Sequence, residues 1–184
     1  MERSDEREAR FERLYREHAS AVFAYALRRR SPDQAADAAA ETFLVAWRRL
    51  DDVAAAEELP WLYAIARRVL STQLRSSRRQ DAIAARVAFE RPDDVSPAQD
   101  GTTRPVLRAL AELEAGEREV LMLAAWEELS SREAAAVLGC SATAYRIRLH
   151  RARKRLRLRL AELDTAAPMW DRPVRAKTKE SPSC

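Results

Sequence analysis

The sequence predicts an all-α protein of two small helical domains joined by a flexible linker, the C-terminal one containing a helix-turn-helix. Three observations lead there. Only three glycines occur in 184 residues, while Ala, Leu, Arg and Glu abound, and that is helix-forming composition. No alternating β-branched run of useful length is present. Apolar residues instead recur at spacings of three and four, the signature of helices with one buried face.

The elements follow in order. Residues 1 to about 7 are polar and read as frayed. From Glu8 to Arg29 the positions Phe11, Leu14, Tyr15, Ala19, Val22, Phe23 and Ala26 make one broad apolar face. Ser31-Pro32-Asp33 ends that helix and begins another. Pro32 suits a first turn, and Asp33 suits the positive end of a helix dipole. The second helix runs from about Asp33 to Leu50, with Ala36, Ala39, Phe43, Ala46, Trp47 and Leu50 inward. A short loop, Asp52 to Leu59, leads to Pro60 and a third helix, Trp61 to about Arg79. Leu62, Ile65, Ala66, Val69, Leu70 and Leu74 form its inner stripe, and no acid lies between Leu59 and Gln80.

Residues 81–104 change character. Pro92, Pro97 and Gly101 fall here with Asp93-Asp94 and Thr102-Thr103, so apart from a helical piece at Asp81 to Phe89 this reads as linker. Helical pattern resumes at Val106 to Leu113. Gly116 interrupts it, and Glu117 to Trp126 forms the next helix. The residues after Asp164, with three prolines and scattered charges, read as a disordered tail. The domain layout is therefore 1–80, linker 81–104, 105–163 and tail 164–184.

The stretch Ser130 to Leu160 is the most informative. Ser130 followed by Glu133 is a capping box. Ala134, Ala135, Val137 and Leu138 give a short apolar face, and Gly139 stops the helix. Ser141 then caps a second helix. Tyr145, Leu149, Ala152, Leu156 and Leu160 are its packing stripe. The rest of its surface carries seven arginines and Lys154, with no acid between Ser141 and Leu160. Like charges so concentrated call for an external polyanion. A short helix, a Gly turn and a basic second helix form a helix-turn-helix that reads the DNA major groove.

Composition bounds the rest. Charged residues make up 34% and the net charge is +4, unevenly placed. Glu112 to Glu133 is acidic on balance, while Tyr145 to Leu160 is basic. That asymmetry predicts nucleic acid at one surface and a protein contact at another. The N-terminus MERSDEREARFERL has no apolar core of a signal peptide. No run approaches the roughly 18 apolar residues of a membrane span. A cytoplasmic protein with no membrane partner is expected. Cys140 and Cys184 predict neither a disulfide nor a zinc site. No Gly-rich phosphate loop, metal-ligand cluster or nucleophile triad occurs, so no enzyme, catalytic residue, metal or cofactor is expected.

The strings LYREH, ETFLVAWRRL, PWLYAIARRVL, EREVLML, AAAVLGCS and RLHRARKRL, in this order around a Pro-rich linker, resemble the extracytoplasmic-function (ECF, group IV) sigma factors of the sigma-70 family. The resemblance covers about residues 8–80 and 106–160. It implies a promoter-specificity subunit that binds core RNA polymerase and promoter DNA. Asp37, Glu41, Thr42 and Trp47 fall on the segment that docks on the clamp of the polymerase largest subunit. Trp61, Arg67, Arg68, Arg75 and Arg78 fall near the −10 element, the arginines suiting backbone contacts. Trp61 suits base stacking too, although a Trp after a helix-starting Pro is more often a core anchor. Thr143, Arg146, Ile147, His150, Arg151 and Lys154 fall on the −35 reader. An anti-sigma factor is a candidate partner, since many members have one. The chain departs from the family at Ala144, Ile147 and Ala40, and in the acidic residues Asp52, Glu57 and Glu58 of the loop. The competing reading is a stand-alone helix-turn-helix regulator, which leaves ETFLVAWRRL and the basic third helix without a role.

Overall fold

The computed structural model describes residues 2–54, 57–84 and 103–166. They form seven α-helices and one short 3-10 turn, and no strand occurs among the described residues. The helices are α1 (Glu2–Leu27), α2 (Pro32–Arg48), α3 (Glu58–Ala84), α4 (Thr103–Ala111), α5 (Ala115–Ala125), α6 (Ser131–Leu138) and α7 (Ala142–Ala166), with the 3-10 turn at Leu50–Asp52. The expected all-α architecture with its C-terminal helix-turn-helix stands.

In the N-terminal half α1, α2 and α3 pack on one another. Leu14, Val22, Tyr25 and Ala26 of α1 meet Ala35, Ala38, Phe43 and Ala46 of α2 and Leu62, Ile65, Ala66 and Val69 of α3. Full burial of one such large side chain contributes about 1.5–3 kcal/mol. The expected stripes need correcting at the edges. Tyr15 and Phe23 are exposed, because an apolar face as broad as the one on α1 exceeds what two partner helices cover. Tyr15 instead makes an edge-on contact with Phe43 at 4.8 Å. On α2 the buried alanines are Ala35, Ala38 and Ala46, and Ala36 faces solvent.

Element ends also differ from expectation. The acidic and basic residues before Glu8 are helical from Glu2 on, not frayed. Arg7 explains part of this: its guanidinium donates to the Trp47 carbonyl at 2.7 Å and sits 4.9 Å over the Trp47 ring. The third helix continues past Arg79 to Ala84, absorbing the start of the separate piece expected at Asp81 to Phe89. The rest of that piece, and the linker over 85–102, fall outside the described residues, as does the tail beyond 166. Gly116 does not break a helix. It lies in the first turn of α5, where a backbone N–H has no intrahelical partner to lose.

The C-terminal half is built as its capping residues dictate. Ser130 Oγ accepts from the Glu133 N–H, and Glu133 Oε2 accepts from the Ser130 N–H at 2.8 Å. Gly139 closes α6 in the left-handed conformation, φ 65°. Ser141 Oγ then accepts from the Ala144 N–H at 3.1 Å. Tyr145 and Ala152 of α7 are buried, and the Tyr145 hydroxyl donates to the Val120 carbonyl at 3.2 Å. Burial raises the Tyr145 pKa, against the opposing charge of Arg153.

The two halves are docked. Val120, Leu123, Ala134, Ala135, Val137 and Tyr145 belong to the same apolar cluster as the N-terminal core, and α6 packs along α3. Leu110, Leu113, Leu121 and Ala152 form a smaller cluster of their own.

Candidate nucleic-acid and polymerase interfaces

On α7 the residues expected to face DNA lie on one stripe. Thr143, Arg146, Ile147, His150, Arg151 and Lys154 are all exposed. Their spacing places them on the side opposite Tyr145, Leu149, Ala152 and Leu156. Arg146 Nη2 donates to Thr143 Oγ1 at 3.3 Å, a local contact that pre-orients the guanidinium. Ile147 is 48% exposed, an apolar side chain set among cations. The flank behaves differently. Arg155 pairs with Glu117 at 2.8 Å, and Arg159 lies 2.8 Å from Glu162 and 3.9 Å from Glu112. Among the described residues neither Arg146 nor Arg151 makes an ion pair. The internal acids thus hold Arg155 and Arg159 of the flank and neither of these two.

The N-terminal candidates are dispersed. Arg67 and Arg68 are exposed and adjacent, yet they open on different grooves. Arg68 lines a groove of about 320 Å³ between α2 and α3, with Glu41, Arg49 and Trp61. Arg67 lines a cavity of about 320 Å³ with Arg28, Arg29 and Arg30 on one side and Gly116 and Glu119 on the other. Arg75 is exposed and donates to Ser71 Oγ at 3.3 Å. The Arg78 side chain lies outside those described. Trp61 is half-buried against the core. It lines a cavity of about 490 Å³ with Ser130, Arg132 and Ala136 at the α3–α6 seam.

On α2, Asp37 and Glu41 are exposed one turn apart. Glu41 accepts from Gln73 Nε2 at 3.2 Å. Thr42 is fully buried, its hydroxyl donating to the Ala38 carbonyl at 2.6 Å. It offers no outward contact here, because its side of α2 is covered and its hydroxyl is taken up by the backbone of α2 itself. Trp47 is half-buried, edge-on to Phe11 at 5.1 Å. Leu44, 59% exposed, is an apolar member of the same outer face that the sequence reading passed over.

A further constellation escaped the reading altogether. At the end of α1, Arg29 donates to Glu119 Oε2 at 2.9 Å and to Glu127 Oε1 at 3.0 Å. Arg28 also pairs with Glu127, whose side chain is 0% exposed. Tyr25 donates to Glu119 Oε1 at 2.7 Å, lies 3.5 Å beneath the Arg29 guanidinium and stacks on Tyr63 at 4.8 Å. Burial pushes the Tyr25 pKa well up; Arg29 opposes that rise and Glu119 adds to it. Burial works against the Arg29 charge, but Tyr25, Glu119 and Glu127 more than offset it and raise its pKa. The only sequence signals were the triplet Arg28-Arg29-Arg30 and the acidic balance of Glu112 to Glu133.

Among the described residues no cluster of three His, Cys, Asp or Glu side chains could hold a metal. Nor is any described helix long and apolar enough to cross a membrane.

Comparison with known proteins places the chain beside characterised families. Residues 14–80 match the family model "Sigma-70 region 2" and residues 103–156 match "Sigma-70, region 4". The ECF RNA polymerase sigma factor SigL of Mycobacterium tuberculosis is 32% identical over 158 residues, covering 82% of this chain and 88% of its own. Among solved structures, the sigma factor RpoE of Bartonella quintana in complex with the anti-sigma factor NepR superposes with a TM-score of 0.65. The two are 28% identical, over 84% of this chain and 98% of that one. CnrH in complex with the cytosolic domain of CnrY gives 0.54 at 31% identity, over 85% and 89% of the two chains.

Proposed function

The chain belongs to the sigma-70 family, as an RNA polymerase sigma factor of the ECF type, and from that premise we propose how its surfaces are divided. Residues 1–80 dock on core polymerase and meet the −10 element, residues 105–163 read the −35 element, and 81–104 links them. Asp37 and Glu41, flanked by Leu44 and Trp47, face the clamp of the largest subunit. Two carboxylates one turn apart suit a basic partner, and Thr42 supports that face from within.

One observation carries the promoter reading: the exposed stripe Thr143, Arg146, Ile147, His150, Arg151 and Lys154, set opposite the buried stripe of α7 and behind the Gly139 turn. Arginine fits guanine O6 and N7, and an apolar side chain fits the thymine methyl. Arg67, Arg68, Arg75 and Arg78 supply phosphate contacts to the opened strand. Trp61 anchors the start of α3. The protein acts in the cytoplasm as a non-enzymatic subunit and needs no cofactor. An inhibitor of the anti-sigma class is a partner in the manner of RpoE. A stand-alone regulator would leave the match over residues 14–80 unused.

The test is reconstitution. Purified chain added to core polymerase should form a complex on gel filtration and direct promoter-specific transcripts. Site-specific DNA binding by the chain alone, with no association with core, would overturn the reading.

A further inference from the structure

The docked arrangement cannot be the one that reads a promoter. Elements centred near −35 and −10 lie about 25 base pairs apart, roughly 85 Å along the duplex at 3.4 Å each. A compact chain of 184 residues is only about 40 Å across. The halves must separate, and the residues at their seam must then find other partners.

The seam at the end of α1 sets cations of one half against acids of the other. Arg118 of α5 also lines it, but its guanidinium donates to the Leu110, Ala111 and Leu113 carbonyls of its own half. The seam cavity is lined from the N-terminal half by Arg28, Arg29, Arg30 and Arg67, with no acid among those lining residues. The acids come from the other half: Glu119 of α5 and, beside it, Glu127. Glu127 is aimed inward by a strained turn, since the next residue, Glu128, has φ 52°, a conformation a glutamate seldom adopts. Such strain persists only where surrounding contacts impose it. Here the Glu127 N–H bonds to the Met122 carbonyl and the Leu129 N–H to the Leu123 carbonyl, and Glu127 also pairs with Arg28 and Arg29. Buried ion pairs add little net stability because desolvation opposes them. A seam made this way opens into water more readily than an apolar one.

We propose that Arg28 and Arg29, continuous with Arg67, form a nucleic-acid phosphate site that Glu119 and Glu127 occupy in the closed chain. Opening exchanges two carboxylates for phosphodiester oxygens, the other anion that fits guanidinium forks. The proposal rests on the DNA-binding reading above and extends its N-terminal surface from α3 onto α1. Tyr25 holds Glu119 in place through its hydroxyl and supports Arg29 through its ring.

The experiment compares full-length chains carrying E119Q and E127Q together, E119Q alone as a milder change, and R28A with R29A. Far-UV circular dichroism establishes equal helicity. Small-angle scattering should give a larger radius of gyration for both double variants, because each breaks the latch. Binding to a mixed-sequence 30-nucleotide single strand, titrated at several salt concentrations, should then divide them. The glutamine variants should bind several-fold more tightly than the parent. The arginine variant should lose about 0.7 of the log–log salt slope per arginine relative to the E119Q/E127Q chain. If the glutamine variants stay compact, there is no latch. If they open but bind with the parent's slope, or if the arginine variant binds as they do, there is no phosphate site. If the arginine variant instead loses core-polymerase binding alone, the site serves the enzyme and the assignment to DNA is overturned. A parent chain that binds neither core nor DNA would sink the sigma-factor reading itself, and the proposal with it.

Discussion

Arg155 donates to Glu117 across 2.8 Å, tying the flank of α7 to the first turn of α5. The contact sorts the cations of the recognition helix into those occupied within the fold and those free for DNA. Arg146→Ala or Arg151→Ala should therefore cost about 1–3 kcal/mol on the cognate −35 sequence and relax its base preference. Arg155→Ala should weaken binding on every sequence, lowering the duplex salt slope by at most about 0.9. Titrations of the intact chain on cognate and scrambled duplexes separate the two classes. Equal losses from both on both duplexes would mean that the reading face is misassigned.

Gly139 sets the angle at which α7 leaves α6. A Cβ there would meet no atom within 4 Å, but its φ is 65°. The cost of Gly139→Ala is therefore backbone strain alone, about 1–2 kcal/mol. Chemical denaturation should show that loss, with a smaller one for Gly139→Asn, which tolerates this region better. A Gly139→Ala chain as stable as the parent would contradict the turn geometry.

The capping box makes the start of α6 sensitive to acid. Hydrogen bonds from Ser130, first of its side chain and then of its backbone, hold the Glu133 carboxyl below its usual value. A depressed folded-state pKa contributes stability above the unfolded value of about 4.3, and that contribution fades as pH falls through the folded one. Ser130→Ala should cost about 1 kcal/mol at neutral pH and shrink that acid-dependent part of the unfolding free energy. An unchanged pH profile in the variant would show that the box does not couple to folding.

Charge reversal tests the docking face. Glu41 is exposed and its one described hydrogen bond is from Gln73, so Glu41→Lys should leave helicity and melting temperature close to those of the parent. Its competition for core polymerase should weaken at least tenfold, since like charges brought together at an interface cost several kcal/mol. Undiminished competition would move the docking surface elsewhere.

What the sequence disclosed depended on the range of the interaction. Ser130, Glu133, Gly139 and Ser141 act on neighbours within four residues, so their spacing was enough to place α6 and the start of α7. The two faces of α7 were legible for the same reason. Thr42 was not, because whether a threonine points out or in depends on which side of α2 the other helices cover. The pairing of Arg28 and Arg29 with Glu119 and Glu127 spans some ninety to a hundred residues. No periodicity encodes it; the triplet Arg28-Arg29-Arg30 and the uneven charge of Glu112 to Glu133 were its only traces. The acids matched arginines of the same chain.

The helix α3 runs unbroken for 27 residues, Glu58–Ala84, roughly 40 Å from end to end. Its first half is clamped in the core at Leu62, Ile65, Ala66, Val69 and Leu70, whereas Arg75 already faces solvent. Such a rod works as a lever with its fulcrum near Leu70. A tilt of a few degrees at the clamped end moves the far end by one or two ångströms. The chain segment leading to the C-terminal half departs from that far end. Any load on the core-embedded residues, such as polymerase pressing on α2, is therefore transmitted as a displacement of the tether, and the reach of the second half is set in part by the attitude of a helix in the first.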